Sequence, residues 1–275
     1  MAPRLGLLFL VCRDLHQPQV WRDFLREADG ACSVFCHPKG PDLLHGGPLE
    51  GFVIAERHET SWGNISLVVA MLALLRAAME DRSLTHFVFL SESCIPISSM
   101  EQIAAALERD GRSRINFITL EEAYTRNPDK PGRFSRAETI PHHHRVFHPQ
   151  WVLLERAAAS RLLAYNLLHR FEKVGIPDES YFGTVLSMVG WDLNQQVVKQ
   201  DVTWTKWTPG AWHPETIVKI TPELRKEWRD SGCFFARKVS PVVVWDPSAT
   251  DKGTSGAWQE SPRQGEAEKD FLQNR

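Results

Sequence analysis

The sequence has few cysteines and none of the paired arrangements that hold metals or carry redox chemistry. The five cysteines are scattered, and no two form a Cys-x-x-Cys pair: Cys12, Cys32, Cys36, Cys94 and Cys233. This spacing excludes the common zinc and thioredoxin-like motifs. We therefore expect reduced thiols in a reducing compartment.

Long hydrophobic runs are also missing. The longest are "LGLLFLVC", from Leu5, and "SLVVAMLALL", from Ser66. Both are well short of the roughly 18 apolar residues that a membrane span needs, and "MAPR" leads directly into a candidate strand without the layout of a signal peptide. We expect no transmembrane segment and a soluble, cytoplasmic chain, or a luminal one if the sequence is a truncated form of an anchored protein.

Charge of one sign is not in excess. The 275 residues include 32 Lys and Arg against 34 Asp and Glu, a formal net charge of -2. No global field attracts nucleic acid or an anionic membrane, so nucleic acid is not an expected partner and any bound anion must be held by local groups. With 43% hydrophobic residues and only 17 Gly and 17 Pro, the chain can bury a sizeable core.

Short apolar runs alternate with helical patterns from the start of the chain. Five runs predict strands: Leu5–Val11, Ser33–Cys36, Phe52–Ala55, His86–Leu90 and Ile115–Leu120. Three patterns between them predict helices: Gln19–Ala28, Ser66–Met79 and Ser98–Asp110. The alternation predicts an α/β domain with a mixed, mostly parallel central sheet flanked by helices.

The second half of the chain begins with a stretch of little periodicity. Residues Glu121 to Pro149 are rich in Pro, Gly and His and predict a long functional or disordered loop. Regular patterns then predict strands at 150–155, 197–204 and 233–240, and helices at 156–173, 177–190 and 221–230. We expect one domain over residues 1–245 and a polar tail over residues 246–275.

Familiar phosphate-binding motifs are absent. The sequence has no Gly-x-Gly-x-x-Gly after a strand, no Walker lysine and no Gly-x-Ser-x-Gly elbow. Asp-x-Asp, with which sugar-nucleotide enzymes commonly hold a divalent ion, is replaced after His86–Leu90 by "SES", Ser91 to Ser93. Because ligands bind at strand carboxyl ends in such sheets, Glu92 is a candidate ligand contact, with a surface carboxylate as the alternative.

Three consecutive histidines, His142 to His144, suggest a metal site. Consecutive side chains point in different directions, however, and a zinc site needs converging ligands. No cysteine or paired carboxylate stands beside the run. A solvated loop, or one that contacts an acceptor, is the favoured interpretation.

Two acidic residues begin the predicted helix 177–190. Capping explains Asp178, since the helix dipole favours acidic residues in the first turn. Capping explains Glu179 less well. A carboxylate directed outward from a helix end suits a general base, so Glu179 is a candidate catalytic residue.

Basic residues stand near aromatic ones in "WTKW" and "FFARKV", which contain Lys206, Arg237 and Lys238. In an extended strand, Arg237 and Lys238 face opposite sides, so only one of them points at a given ligand unless the strand has ended. A surface salt bridge is the alternative role for either residue.

Taken together, these segments resemble the core-2/I-branching glycosyltransferase family, and most closely its plant-type branch. The resemblance covers most of the chain. Eight motifs stand in the family's order: "LLFLVCRDLHQPQVWRDFL", "SVFCHPKG", "ETSWGNISLVVAMLALL", "HFVFLSESCIPISS", "HPQWVLLER", "PDESYFGTVL", "VTWTKWTPGAWHPET" and "CFFARKVSP".

The resemblance implies a GT-A type α/β fold and an inverting transfer of a sugar from a UDP-sugar to a hydroxyl of a glycan or glycoconjugate acceptor, with no cofactor and no bound metal. Glu179 matches the family's catalytic base, Lys238 its diphosphate contact and Trp207 its acceptor-site tryptophan. Glu92, in place of Asp-x-Asp, and His37, after the second strand, match positions beside the donor.

One basic residue that the family uses has no counterpart at the aligned position of this chain. Animal members place a second basic residue on the diphosphate, and the aligned stretch here, "HPET", contains none. Arg237, Lys206 and Lys219 are the alternatives for this donor-binding role. The membrane anchor and disulfides of many members are also missing, which fits a bacterial, viral or truncated form.

Two other functions fit the sequence less well. A glycoside hydrolase needs two carboxylates flanking one bond, and only Glu179 has a clear case. A non-catalytic carbohydrate- or nucleotide-sugar-binding protein of the same fold would keep Trp207 but has no need of Glu179 or Lys238.

Overall fold

The computed structural model of the chain describes residues 2–44, 46–126, 130–211 and 213–246. Its strands within these ranges are β1 Leu5–Val11, β2 Cys32–Pro38, β3 His86–Leu90, β4 Ile95–Pro96, β5 Ser113–Arg114, β6 Ile118–Thr119, β7 Val146–Phe147, β8 Leu153–Glu155, β9 Val197–Val198, β10 Thr203–Thr205, β11 Ile217–Ile220, β12 Phe235–Arg237 and β13 Val239–Trp245. Its α-helices are α1 Pro18–Glu27, α2 Ile65–Met79, α3 Met100–Asp110, α4 Leu120–Arg126, α5 Arg156–Ala164, α6 Tyr181–Met188, α7 Leu193–Gln196 and α8 Pro222–Ser231.

A six-stranded sheet forms the centre of the fold, in the order β2-β1-β3-β8-β5-β9. Strands β2, β1 and β3 are parallel, β8 runs antiparallel to both of its neighbours, and β5 pairs in parallel with β9. This confirms the predicted mixed, mostly parallel sheet. Because β1, β2 and β3 end at the same edge, the residues that follow them lie close together.

Helices cover both faces of this sheet. In β1, Leu7 and Phe9 point to the core formed with α1 and α3, whereas Leu8 points to the core formed with α2, α5 and α6. Strand β1 is therefore apolar on both sides, as is typical of strands inside a covered parallel sheet. The same burial explains why α2 is apolar on most of its circumference.

A second, three-stranded sheet, in the order β10-β12-β4, starts at the carboxyl end of β3, because β4 follows β3 after four residues. It packs with the parallel pair β11 and β13 and with α8 around a third, smaller core. The backbone N–H of Val239 donates to the Ser93 carbonyl oxygen at 2.9 Å. This bond ties the start of β13 to the segment that follows β3.

Local capping accounts for several helix ends. Ser99 and Gln102 form a reciprocal capping box at the start of α3, and the Thr221 side chain accepts from the Leu224 N–H at the start of α8. The Asn64 side chain caps α2. The helices predicted at Gln19–Ala28, Ser66–Met79, Ser98–Asp110 and 221–230 are confirmed to within a few residues, as are the strands at Leu5–Val11 and His86–Leu90.

Other predicted elements are wrong or shorter than expected. The run Phe52–Ala55 is not a strand, because Glu50–Phe52 forms a 3-10 turn and only Val53 bridges to Cys36 at the sheet edge. The run Ile115–Leu120 gives only β6, since Thr119 and Glu122 exchange side-chain to backbone bonds that start α4. The predicted helix 156–173 ends at Ala164, and the strand 197–204 is split into β9 and β10.

Within the described ranges, no helix is both long enough and apolar enough to cross a bilayer. Strand β13 ends at Trp245, and Asp246 still bonds through its N–H to the Ile220 carbonyl oxygen at 3.0 Å. The rest of the predicted polar tail, 247–275, lies outside the described residues.

Candidate functional site

Glu92 stands at the carboxyl edge of the central sheet, directly after β3. Ser91 and Ser93 are buried and their hydroxyl groups bond to each other at 3.0 Å, whereas Glu92 between them is only partly buried. The Glu92 Oε2 atom accepts from the Cys12 N–H at 3.4 Å, and its backbone oxygen accepts from the His16 N–H at 2.9 Å. These bonds join the ends of β3 and β1 and leave one carboxylate at the edge.

Glu179 lies on a 3-10 turn, Pro177–Glu179, that precedes α6. Its backbone oxygen accepts from the His148 N–H at 2.8 Å, and its N–H donates to the Ile176 oxygen at 3.1 Å. The Glu179 side chain is 34% exposed, and its Oε2 atom pairs with Arg133 Nη1 at 2.5 Å. The carboxylate is thus held in place and still reachable from solvent.

Asp178 does not cap the helix, which corrects the prediction for this residue. Ser180 occupies the N-cap position of α6, and the Asp178 side chain is buried with only 5% of its surface exposed. Burial, with the Glu179 carboxylate as the second cause, raises the pKa of Asp178 to about 7. Its Oδ1 atom has no hydrogen-bond partner among the described residues.

Arg237 and Lys238 both stand at the end of β12. Because β12 ends at Arg237, the alternation expected for an extended strand stops there, and the charge of Glu92 acts on both side chains. Burial lowers the pKa of Lys238, the neighbouring Arg237 lowers it further, and Glu92 opposes both effects.

The charges of both carboxylates act on Arg237. Burial lowers the pKa of its guanidinium, while Cys94, Glu92 and Glu179 act in the opposite direction. The guanidinium carbon also lies 4.2 Å from the centre of the Trp151 ring, a cation–π distance. The charges of Glu92 and Glu179 therefore both act on Arg237, and the charge of Glu92 acts on Lys238, although these residues are far apart in the sequence.

The other two candidate cations are engaged elsewhere. Lys206 Nζ lies 3.1 Å from a Glu215 carboxylate oxygen, and Lys219 Nζ lies 3.4 Å from an Asp246 carboxylate oxygen. Both lysines are more than half exposed. Arg237, the third alternative for the second cation, stands next to Lys238, and the charges of Glu92 and Glu179 act on it.

His37 and Trp207 stand in opposite surroundings. His37 is fully buried near the end of β2, where its Nε2 atom accepts from the His58 N–H at 2.9 Å and its ring is stacked on the His58 ring. Burial lowers the pKa of His37. Trp207 is 54% exposed, and its indole N–H donates to Thr205 Oγ1 at 3.1 Å.

The histidine run forms a 3-10 turn, His142–His144. His144 Nδ1 lies 2.9 Å from Ser187 Oγ, and the His143 and His144 rings are in contact. Among the described residues, no three His, Cys, Asp or Glu side chains are grouped so as to hold a metal ion.

Two residues of this edge were missed by sequence reasoning. Arg133 belongs to the stretch Glu121–Pro149, which contains packed structure: Phe134 and Ile140 are buried, and all but the first residue of α4 and the whole of β7 lie within it. Trp151 lies in the "HPQWVLLER" motif, where the pattern predicts a residue of a strand and not a contact of Arg237. An arginine in a Pro- and Gly-rich stretch carries no signal that it will meet a carboxylate 46 residues further along.

Comparisons with known proteins now identify the family. The family model described as Core-2/I-Branching enzyme matches residues 5–228, so the chain belongs to this family of glycosyltransferases. The chain is also 26% identical over 302 residues to glycosyltransferase BC10 of Oryza sativa subsp. japonica, covering 86% of this chain and 74% of the rice protein. The resemblance to the plant-type branch is confirmed, and membership supports a glycosyl-transfer function.

Two solved structures show a distant likeness. The galactosyltransferase LgtC, in complex with donor and acceptor sugar analogs, is 9% identical with a TM-score of 0.42, covering 90% of this chain and 92% of that one. Mouse xyloside xylosyltransferase 1 is 12% identical with a TM-score of 0.35, covering 86% and 97%. The family, together with the central sheet described above, gives the chain the α/β architecture of GT-A type.

Proposed function

We propose that this chain is an inverting, metal-independent glycosyltransferase that moves a sugar from a UDP-sugar to a hydroxyl group of a glycan or glycoconjugate acceptor. One observation carries the proposal. The Glu179 carboxylate is 34% exposed, and its charge acts on Arg237, which stands next to Lys238 although both cations are distant from Glu179 in the sequence.

Glu179 is the general base of the proposed reaction. Arg133 pairs with its Oε2 atom, and no described residue bonds to Oε1. Oε1 then takes the proton of the acceptor hydroxyl as that oxygen forms a bond to the anomeric carbon of the donor sugar. Because the attack comes opposite the leaving group, the anomeric configuration is inverted.

Lys238 and Arg237 stabilise the leaving group. As the bond between the anomeric carbon and the diphosphate oxygen breaks, the electron pair departs with UDP, and fixed cations in a partly buried site stabilise that charge. The backbone around Lys238 is well held, since its oxygen accepts from the Ile217 N–H at 2.7 Å and the Val239 N–H bonds to Ser93. This rigidity supports a preorganised clamp.

The same cations support metal independence. In a metal-dependent enzyme, an Asp-x-Asp motif holds the divalent ion that meets the diphosphate, and here "SES" takes that place. Its two hydroxyl groups bond to each other, which leaves Glu92 alone at the edge. We assign Glu92 to the donor side, where it holds the ends of β1 and β3 together and faces the two cations.

Two further residues complete the proposed site. Exposed Trp207 offers an aromatic face to the acceptor. His37 is closed off from solvent, so it does not contact the donor directly. Its ring nitrogen accepts the His58 N–H and so fixes the backbone at that position. His37 is therefore a positioning residue for the donor side.

Turnover with defined donors tests the proposal. The chain is incubated with UDP-glucose, UDP-galactose, UDP-N-acetylglucosamine or UDP-xylose and a panel of glycan acceptors, while UDP release and the anomeric configuration of the product are measured. We expect UDP release that depends on an acceptor and an inverted linkage. A retained configuration contradicts the mechanism, and tight donor binding without release by any acceptor favours the non-catalytic binding protein.

A further inference from the structure

Trp62 is unusually exposed to solvent. Its side chain is 82% exposed, more than that of any other large hydrophobic residue in the described part of the chain. Tryptophan is highly buried on average, and its ring carries a large apolar surface. Such exposure calls for a partner that covers the indole.

The backbone around Trp62 is built as a tight turn. The Asn64 N–H donates to the Ser61 oxygen at 3.2 Å, and Gly63 has a φ of 68°. A positive φ at the third residue of a turn is the geometry that glycine allows. Further bonds join Ser61 and Asn64 to Ser66 at 3.1 and 2.9 Å. The loop therefore presents Trp62 from a fixed base.

This turn packs beside the proposed catalytic base. A Cβ atom on Gly63 would lie 3.7 Å from Ile176 Cγ1. Ile176 in turn accepts the Glu179 N–H through its backbone oxygen. Trp62 is next to Gly63 in the chain, so the turn that carries it lies beside the segment that leads into the Glu179 turn.

The neighbours of Trp62 are polar. Glu59, Ser61 and Asn64, close to it in the chain, are all exposed, so hydrogen-bonding groups flank the exposed indole on both sides in the sequence. A pyranose ring has the matching surface, since its faces carry C–H groups and its rim carries hydroxyls. A protein partner would instead require a contiguous apolar patch.

We propose that Trp62 is a sugar-stacking residue of the active site, whose indole face covers a pyranose ring held next to Glu179. The inference rests on the proposed transferase function. The ring belongs either to the donor sugar or to the acceptor glycan, and the two sources are separable by experiment.

The experiment compares Trp62→Ala and Trp62→Phe with a control, Phe52→Ala. Phe52 is also exposed but lines a crevice with Leu15, Pro18 and Leu25 on the side of α1. Calorimetry measures binding of UDP and of the four UDP-sugars named above, and a glycan microarray with kinetics on its best acceptors measures the acceptor side.

We expect Trp62→Ala to lower the affinity for a sugar-bearing ligand by about 5- to 10-fold, which corresponds to the free energy of an aromatic stacking contact. Affinity for UDP alone stays unchanged, Trp62→Phe restores most of the loss, and Phe52→Ala has no effect. A loss confined to UDP-sugars assigns the ring to the donor, and a loss confined to acceptor KM or glycan binding assigns it to the acceptor.

Three results overturn the inference: unchanged affinity for every sugar ligand, an equal loss for UDP itself, or a Phe variant no better than Ala. Failure of the proposed function looks different. In that case the wild-type chain releases no UDP with any acceptor, while its binding to UDP-sugars and to the glycan array still tests the stacking role of Trp62.

Discussion

At the scale of single residues, Glu179 and Glu92 differ in their hydrogen bonds. Glu179 pairs with the Arg133 side chain and keeps one oxygen without a described partner, whereas Glu92 accepts a backbone N–H from Cys12. The first arrangement suits proton transfer and the second suits holding two strand ends. The proposed roles of base and support follow from this difference.

Glu179→Gln tests the base. Glutamine keeps the shape of the side chain but accepts no proton, so turnover should fall by about 10²- to 10⁴-fold, while affinity for UDP and UDP-sugar stays nearly unchanged. Steady-state kinetics and calorimetry measure the two effects. If Glu179→Gln retains near-full turnover on a verified donor and acceptor, the base must be sought at Glu92 or at Glu121 and Glu122.

The cations give a separate prediction. Lys238→Ala and Arg237→Ala should each weaken UDP binding and slow the reaction, because the positive charge acts on the diphosphate in both ground and transition states. The loss of affinity in each variant should be larger for UDP than for uridine, which lacks phosphate. Lys206→Ala, whose lysine pairs with Glu215, is the control and should change UDP affinity little.

Asp178 should make folding stability depend on pH. Its pKa is about 7 in the folded chain, above its ordinary value of 3.8. Between about pH 4 and pH 7 the folded chain keeps the proton that the unfolded chain has lost, so this residue lowers stability as pH rises, by up to about 1.4 kcal/mol per pH unit. Asp178→Asn removes the effect and should gain stability relative to wild type over that window.

Urea unfolding at pH 4.5 and at pH 7.5 measures the Asp178 effect. Ala105→Gly, at an exposed site on α3 without a titratable group, is the control and should give a similar difference from wild type at both values. A difference between Asp178→Asn and wild type that does not change with pH contradicts the prediction.

At the scale of elements, the close approach of α6 to β7 positions the Glu179 turn. A Cβ atom on Gly183 would lie 2.7 Å from Val146 Cγ2 and 3.2 Å from His148 Cδ2. Only glycine lets the helix sit this close. His148 also donates its backbone N–H to the Glu179 oxygen, so helix spacing and base position are linked.

Gly183→Ala should therefore destabilise the fold, although alanine is the better helix former. Overpacking typically costs about 1 to 3 kcal/mol, and movement of His148 should lower kcat as well. Denaturant unfolding and kinetics measure both effects. Gly51→Ala, where an added Cβ meets nothing within 4 Å, should leave kcat unchanged, and an equal loss of activity there would exclude a specific role for Gly183.

The elements that the sequence predicted best were those with strong local signals. Strands β1 and β3 are continuous apolar runs, and α3 begins at a capping box that stands in the sequence as Ser99 and Gln102. The segment Ile115–Leu120 failed because the capping pair Thr119 and Glu122 outweighed its apolar pattern. Phe52–Ala55 failed because a strand needs a partner, and the sheet edge offers only one bridge.

Of the candidate site, only the residues that lie in recognisable sequence motifs could be predicted. Glu179, Lys238 and Glu92 could be chosen because each stands at a recognisable place in a family motif. The pairing of Glu179 with Arg133, and of Arg237 with Trp151, depends on how distant segments pack. No local pattern encodes those contacts, and none distinguishes a buried carboxyl at Asp178 from a helix cap.

At the scale of the whole molecule, the proposed site lies where separate cores meet. The Glu179 turn precedes α6, which packs in the core with α2 and α5, whereas Arg237 and Lys238 come from the small sheet of the third core. A ligand that contacts both parts should therefore stabilise the whole fold.

UDP should raise the thermal stability of the chain. At a hundred times its dissociation constant, a ligand adds roughly 2.7 kcal/mol, which corresponds to about 5 to 10 °C for a chain of this size. EDTA should not change the shift, because in the proposed site the diphosphate is held by Lys238 and Arg237 and not by a metal ion. If the shift disappears on chelation and returns with manganese, the role given to "SES" is wrong.

Arg237 also offers a physical link between donor binding and acceptor binding. The charges of Glu92 and Glu179 both act on its guanidinium. A diphosphate held at Arg237 in the proposed site adds negative charge in the surroundings of both carboxylates, so we expect donor binding to change the affinity for the acceptor. Calorimetry with an acceptor glycan, in the presence and in the absence of UDP, measures this coupling.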